Sequence, residues 1–390
     1  MQNFIYNTPT KVFFGKGQMD NLGQILTDYN IKKVLLHYGK SSIKKNGIYD
    51  KVIEELNKAK ISFVELGGVD ANPKLKLALE GVKIAKKEKV DLILAVGGGS
   101  VIDSAKLIAV GAKVDFNPWL FSLHEKEAKD HIPVGAILTL AASGSDMSNS
   151  CVITNEDTKE KRGFTSEENR CLFAILDPQN TYTVNRYQTA CGTVDIMMHT
   201  LERYFSTGED TPLTDNTALG LLKAVKDAGR IAAEDPTNYE ARATLLWANS
   251  LSHNGLTACG RNFVMSVHQL EHELSGMYDE IAHGAGLAVL WPAWAKLCYK
   301  AQINRFARYA YEVMEVEKTN DVEADILRAI EETKSFFKAI GMPTTLTELG
   351  VSEKDFKELA NNAMFKGKRV LKDIVTVDEE FAIKIFQEAK

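Results

Sequence analysis

The sequence predicts two domains: an α/β half built on a parallel sheet, then a half made almost wholly of helices. Three observations carry this expectation. Up to about Pro178 the chain alternates short apolar runs with amphipathic segments, the rhythm of a parallel sheet with helical crossovers. Beyond that point, glycine turns and β-branched runs give way to long Ala- and Leu-rich stretches. A chain of 390 residues is also too long for one ordinary core.

In order, KKVLLHY (32–38) reads as a strand, GIYDKVIEELNKAK (47–60) as a helix and ISFVEL (61–66) as a strand. LKLALEGVKIAKKEK (75–89) has helical apolar spacing, and VDLILAV (90–96) is a continuous apolar run that suits a buried strand. PVGAILTL (133–140) and CVITN (151–155) supply further strands. Helices are expected at 187–205, 212–234, 238–257, 263–277, 283–300, 302–317, 321–340 and 378–389. The boundary falls between Asp177 and Arg186, giving domains 1–182 and 183–390 with room for a cleft between them.

Apolar content of 45% and charged content of 25% are those of a globular chain. A net charge of −5 argues against a nucleic-acid partner, since phosphate contacts need a basic face. Cys151, Cys171, Cys191, Cys259 and Cys298 are scattered and odd in number, which fits a reducing compartment better than a disulfide framework. The start, MQNFIYNTPTKVFFGKGQ, lacks the pattern of a signal peptide. No apolar window reaches the roughly 18 residues of a membrane span. A cytoplasmic protein with no membrane partner is the expectation.

VDLILAVGGGSVIDSAKLIAVGA joins a strand to a helix through Gly97, Gly98, Gly99 and Ser100. Ser100 and Asp103 have capping-box spacing, which predicts a helix from Val101. Backbone amides at such a helix start can approach a pyrophosphate. The plainer reading is a turn without a ligand. The segment is neither the Rossmann G-x-G-x-x-G nor a Walker loop.

Dinucleotide sites for an unphosphorylated ribose usually place a carboxylate after an early strand. Here HYGKSSIKKNG (37–47) offers Gly39, Lys40, Ser41 and Ser42 instead. If a dinucleotide binds, these groups favour the 2′-phosphorylated form, NADP(H). A further turn, TLAASGSDM (139–147), carries the hydroxyls of Thr139, Ser143 and Ser145, which could line an adenine or ribose pocket.

Asp195 and His199 lie four apart in a predicted helix and so share a face, as do His268 and His272 in another. His283 precedes a further helix. Each pair has an ordinary alternative as a helix-surface contact, but half of the chain's eight histidines concentrate here. With His272 set aside, one carboxylate and three imidazoles suit Fe²⁺ or Zn²⁺ with a position left open for a substrate oxygen.

FGKG (14–17), GGGSVIDSAK (97–106), TLAASGSDM, Asp195-x-x-x-His199 and the histidine segment together resemble the iron-containing (group III) alcohol dehydrogenase family. The likeness is greatest to its butanol dehydrogenase branch, NADP(H)-dependent aldehyde reductases, and runs nearly the length of the chain. It implies a Rossmann-like nucleotide-binding domain and an all-α metal-binding domain, a dehydroquinate synthase-like architecture, with the active site in the cleft. By matching position it implies Asp195, His199, His268 and His283 as metal ligands, with His272 beside substrate and nicotinamide. It implies Gly97, Gly98, Gly99 and Ser100 around the pyrophosphate, with Asp103 close behind. Thr139, Ser143 and Leu176 would border the cofactor, and Lys161 would approach its ribose, with Lys159 as competitor. A homodimer paired through amino-terminal edge strands is implied as well.

Two departures stand out. Many members have His-Pro-Leu-Gly after the second histidine; this chain reads His272-Glu273-Leu274-Ser275-Gly276, and the interval to His283 is one residue longer. Both features match the butanol dehydrogenase branch. The expected reaction is hydride transfer between NADP(H) and a short aldehyde or primary alcohol, and Trp119 and Phe164 suggest an apolar lining for the substrate tail. The rivals are a zinc-dependent polyol dehydrogenase, a dehydroquinate synthase-like cyclase and a non-catalytic dinucleotide-binding module.

Overall fold

Six parallel strands organise the first of two units into which the chain divides, Asn7–Val184. The computed structural model describes residues 1–208 and 211–390. The strands are β1 (Lys11–Phe14), β2 (Lys33–Tyr38), β3 (Ser62–Leu66), β4 (Leu92–Gly97), β5 (Val134–Leu138) and β8 (Phe173–Leu176), in the order β1-β8-β5-β4-β2-β3. Helices α1 (Leu22–Asp28), α2 (Ser42–Lys45), α3 (Ile48–Lys58), α4 (Leu75–Glu88), α5 (Gly99–Gly111) and α6 (Trp119–Ser122) connect them. Every residue of β4 and β5 is buried, which explains their unbroken apolar sequences. Leu22, Leu26, Val52 and Leu56 from α1 and α3 pack on Val34, Leu36, Leu94 and Ile137 of the sheet.

The strand order reverses direction between β2 and β4, so the chain ends that leave these two strands lie side by side at the carboxyl edge of the sheet. Open α/β sheets bind ligands at that kind of switch point.

Sequence and structure differ at several places in this unit, including β8 and α6, to which no sequence signal was assigned. The 151–155 segment does not join the parallel sheet: β6 (Ser150–Asn155) pairs antiparallel with β7 (Glu160–Thr165) as a separate hairpin. Strand β7 has only one β-branched residue, Thr165, and gave no periodic signal. Helix α5 begins at Gly99, not Val101, and its Gly98 cap makes no side-chain bond. The capping box does not form because Ser100 and Asp103 are engaged elsewhere, as described below. Trp119 and Phe164 are buried, with Phe164 5.5 Å from Phe121 between ring centroids. They are core residues of the α/β unit.

The second unit comprises Asn185–Lys390 together with Met1–Tyr6, whose Gln2 amide donates to the Gly260 carbonyl (3.0 Å). Its helices are α7 (Arg186–Tyr204), α8 (Pro212–Glu234), α9 (Tyr239–His253), α10 (Ser266–Met277), α11 (His283–Cys298), α12 (Ile303–Glu312), α13 (Val322–Ile340), α14 (Phe356–Ala363) and α15 (Glu379–Glu388). A short hairpin of β9 (Leu371–Lys372) and β10 (Thr376–Val377) interrupts them. The hairpin was not anticipated, because its two-residue strands carry no periodicity, and α14 was passed over although Phe356, Leu359, Ala360 and Ala363 have helical spacing. Helix α7 is buried on all sides from Thr189 to Tyr204, the mark of a central helix. Asn185 caps it by accepting the Gln188 amide (2.8 Å). No helix among the described residues is long and apolar enough to cross a membrane.

Burial at the β9–β10 turn pushes the Asp373 carboxyl up to about 7. A carboxyl raised in the folded state favours folding most fully below its ordinary value near 3.8, and that contribution is lost as pH rises through about 7. Asp373→Asn removes the dependence. Its stability should therefore gain on the native chain between pH 5 and pH 8, by about 2–4 kcal/mol in denaturant titrations. An equal difference at both pH values would contradict this.

Candidate active site

Two groups of sequence-selected residues take shape, one in each unit. In the helical unit, Asp195 and His199 sit one turn apart on α7, His268 lies on α10 and His283 opens α11. Asp195 Oδ1 is 3.4 Å from His199 Nδ1, 3.6 Å from His268 Nε2 and 3.8 Å from His283 Nε2. A tetrahedral ion with bonds of about 2.0–2.2 Å sets its ligand atoms about 3.3–3.6 Å apart, so the spacing suits one.

Asp195 Oδ1, His199 Nδ1 and His268 Nε2 are buried and have no hydrogen-bond partner among the described residues. Buried polar atoms are nearly always satisfied, and three orphans facing one another are what a metal-binding set looks like without its ion. Oxygen and imidazole donors with no thiolate fit Fe²⁺ or Zn²⁺.

Two carboxylates that the sequence reading passed over stand behind this set. Glu202 Oε2 accepts from His268 Nδ1, and Glu271 Oε2 accepts from His283 Nδ1. Such partners fix the tautomer and direct each Nε2 lone pair inward. The signal was present: Glu202 follows His199 by three residues and Glu271 follows His268 by three, each on its histidine's helix face. Glu202 also accepts the Val267 amide (2.6 Å), which ties the start of α10 to α7.

His253, at the end of α9, was likewise overlooked; its ring stacks on His199 with centroids 4.0 Å apart. His283 reaches Asp195 because α11 presses on α7 at Gly284. A Cβ there would fall 2.2 Å from the Cys191 carbonyl oxygen, one turn before Asp195.

His272, half-buried, lies outside the central set, its ring centroid 5.5 Å from His283 and 6.4 Å from His268. Glu271, His272 and His283 also bring donor atoms within 4.8 Å of one another. Since Glu271 already holds His283 Nδ1, the opposite His283 nitrogen is the one turned to Asp195.

Protonation differs sharply across the set. Burial, reinforced by His253 and His268, holds His199 well below the ordinary imidazole range. Burial acts the same way on His268, but the Glu202 and Asp195 carboxylates outweigh it and raise the ring to about 9.

The nucleotide candidates gather at the carboxyl edge of the parallel sheet. Gly97 ends β4, and α5 starts at Gly99 with its first amides free of side-chain caps. A Cβ on Gly99 would fall 1.9 Å from Ser143 Oγ, so only glycine allows the two turns to meet. Thr139 donates its amide to the Gly97 carbonyl (3.0 Å). Gly39 abuts the same region: a Cβ there would lie 4.0 Å from Val101 Cγ2.

Ser100 Oγ donates to the Ala71 carbonyl (2.5 Å). Asp103, buried within α5, accepts from Ser145 Oγ (2.5 Å) and the Val152 amide (3.0 Å). Burial raises its carboxyl above the usual range. Lys106, fully buried, donates to the carbonyls of Ser148 (3.0 Å) and Ser150 (2.8 Å), so α5 pins the segment that follows Ser143. Leu176 ends β8 with a fully buried side chain. Lys161 is buried on β7, whereas Lys159 is exposed at the hairpin turn. Ser41 and Ser42 open α2, and Lys40 beside them is ion-paired with Asp70.

A metal bound by His268 would have to displace the proton that the Glu202 and Asp195 carboxylates favour on that ring. Chelator competition on the metal-free protein should show affinity rising about tenfold per pH unit from 6 to 8. Glu202→Gln should flatten that slope and weaken binding about 10- to 100-fold. An unchanged slope and affinity would remove Glu202 from this role.

The family model for "iron-containing alcohol dehydrogenase" matches residues 9–178, and its Fe-containing carboxyl-terminal counterpart matches 189–389. The chain is 39% identical to NADH-dependent butanol dehydrogenase A of Clostridium acetobutylicum over the full length of both. It is 34% identical to the NADPH-dependent aldehyde reductase YqhD of Escherichia coli, again over the full length of both. A crystal structure of NADH-dependent butanol dehydrogenase A from Thermotoga maritima superposes with a TM-score of 0.96 at 38% identity, covering 100% of this chain and 99% of that one. With both halves matched and the fold shared throughout, the chain belongs to the iron-containing alcohol dehydrogenase family.

Proposed function

We propose that this protein transfers a hydride between NADP(H) and a short-chain aldehyde or primary alcohol of the butanal/butanol type. One divalent metal, Fe²⁺ or Zn²⁺, would be held by Asp195, His199, His268 and His283. The observation that carries the reading is the convergence of three orphaned, buried donor atoms on one point, with His283 turned toward it.

When bound, the metal supplies polarisation of a carbonyl oxygen and the dinucleotide supplies the hydride. The chain's own residues do the rest. Glu202 and Glu271 keep the His268 and His283 rings in the tautomer that presents Nε2. His272, half-buried beside His283, would hand a proton to the substrate oxygen from a ring nitrogen, a role its nearness to His283 supports.

In the α/β unit, the amides of Gly97, Gly98, Gly99 and Ser100 bind the pyrophosphate at the start of α5. Asp103 stands behind them and braces the Ser145 segment. Thr139, Ser143 and Leu176, at the ends of β5 and β8, border the cofactor. Burial next to Asp103 favours Lys161 over Lys159 at the ribose. Gly39, Lys40, Ser41 and Ser42 receive the 2′-phosphate.

A cytoplasmic setting agrees with five free cysteines. Pairing of two copies through β1 agrees with that strand's place at the sheet edge.

NADPH oxidation with butanal should proceed and stop on adding a chelator. Absence of chelator-sensitive turnover with any short aldehyde would overturn the reading. His268→Ala should lose metal and activity together. His272→Ala should retain metal, by elemental analysis, while kcat falls about 10²-fold or more; loss of metal there would overturn the division of roles.

A further inference from the structure

The ion pair between Lys40 and Asp70 stands where the nucleotide reading puts the ribose distal to the nicotinamide. Three hydrogen bonds fix the loop that carries Asp70. The Gly68 amide donates to the Gly39 carbonyl (2.9 Å), the Val69 amide to the Tyr38 carbonyl (3.3 Å) and Ser100 Oγ to the Ala71 carbonyl (2.5 Å). Residues 68–71 therefore span from the end of β2 to the first turn of α5, across the switch point of the sheet. Asp70 sits in that span, between the two turns that the dinucleotide would occupy. The Lys40 and Asp70 side chains are 70% and 42% exposed, so a ligand can reach both.

We propose that Asp70 is a specificity-determining residue that sets the balance between NADH and NADPH through its pairing with Lys40. The inference rests on the reading of the glycine turn as the pyrophosphate site. A carboxylate beside the ribose accepts hydrogen bonds from its hydroxyls, which favours the unphosphorylated cofactor. A 2′-phosphate brings a charge of about −1.5 to −2 and must draw the Lys40 ammonium away from Asp70. The carboxylate it leaves behind then faces the phosphate and opposes it. With NADH the ion pair persists and no charge is stranded. Lys40 thus favours the phosphate and Asp70 limits that preference, so the native chain uses both cofactors.

Calorimetric titration of the full chain with NAD⁺ and with NADP⁺, in the absence of substrate, tests this without hydride transfer, alongside the kcat/KM ratio of NADPH to NADH. Asp70→Asn should raise the affinity ratio of NADP⁺ to NAD⁺ by about tenfold, partly by weakening NAD⁺. Lys40→Ser should lower the same ratio by about tenfold. The kcat/KM ratios should move in parallel. If both nucleotides bind and Asp70→Asn leaves the ratio within about twofold of the native value, the pair is only a surface contact and the proposal falls. If neither nucleotide binds the native chain, the pyrophosphate reading itself fails and takes the proposal with it.

Discussion

A carboxylate oxygen buried against three imidazoles is the constraint around which the helical unit is arranged. Asp195 lies in the middle of α7, buried on all sides, where an uncompensated charge is costly. Helices α10 and α11 answer it with His268 and His283, and α7 itself with His199. Glu202 and Glu271 then add two more buried carboxylates behind the rings. Three carboxylates around three imidazoles make a centre that a divalent cation balances better than protons do. The packing follows that need, down to the α7–α11 contact that admits nothing larger than glycine at position 284.

The α/β unit works by a different logic. Its candidate site depends first on the order of strands. Because β2 and β4 are neighbours and lead in opposite directions through the sheet, the turns after them lie together without any local sequence signal saying so. Helix α5 then fixes the neighbouring segments through Ser100, Asp103 and Lys106, each bonded to a residue distant in sequence.

Much of this was legible beforehand, and the failures share a cause. Strands β4 and β5 were readable because burial on both faces leaves an unbroken apolar run, and β2 from the shorter run Val34–Leu36. The long helices were readable from their apolar spacing, as the short α14 was by Phe356, Leu359, Ala360 and Ala363, but β7 and the β9–β10 hairpin were too short or too polar to show any. Ser100 and Asp103 had the spacing of a capping box, yet Ala71, Ser145 and Val152 claimed their side chains, so tertiary contacts prevailed over a local rule. Asp195 and His199 could be paired by helix periodicity, but nothing local places His283 opposite them. Glu202 and Glu271 were overlooked because a glutamate on a helix usually faces solvent. Asp70 was missed because it follows a different strand from its partner Lys40, so a turn that looked purely cationic is met by a carboxylate from another loop.

The close approach of α7 and α11 at Gly284 has a consequence in polymer terms. Residues 199 and 268 bring distant parts of the chain to one point, and residue 283 does so again. An ion held there would act as a cross-link that closes a long loop containing α8 and α9, a closure that is entropically expensive in the unfolded chain. Such an ion's binding energy would serve twice, once for chemistry and once for holding the helical unit's chain entropy down.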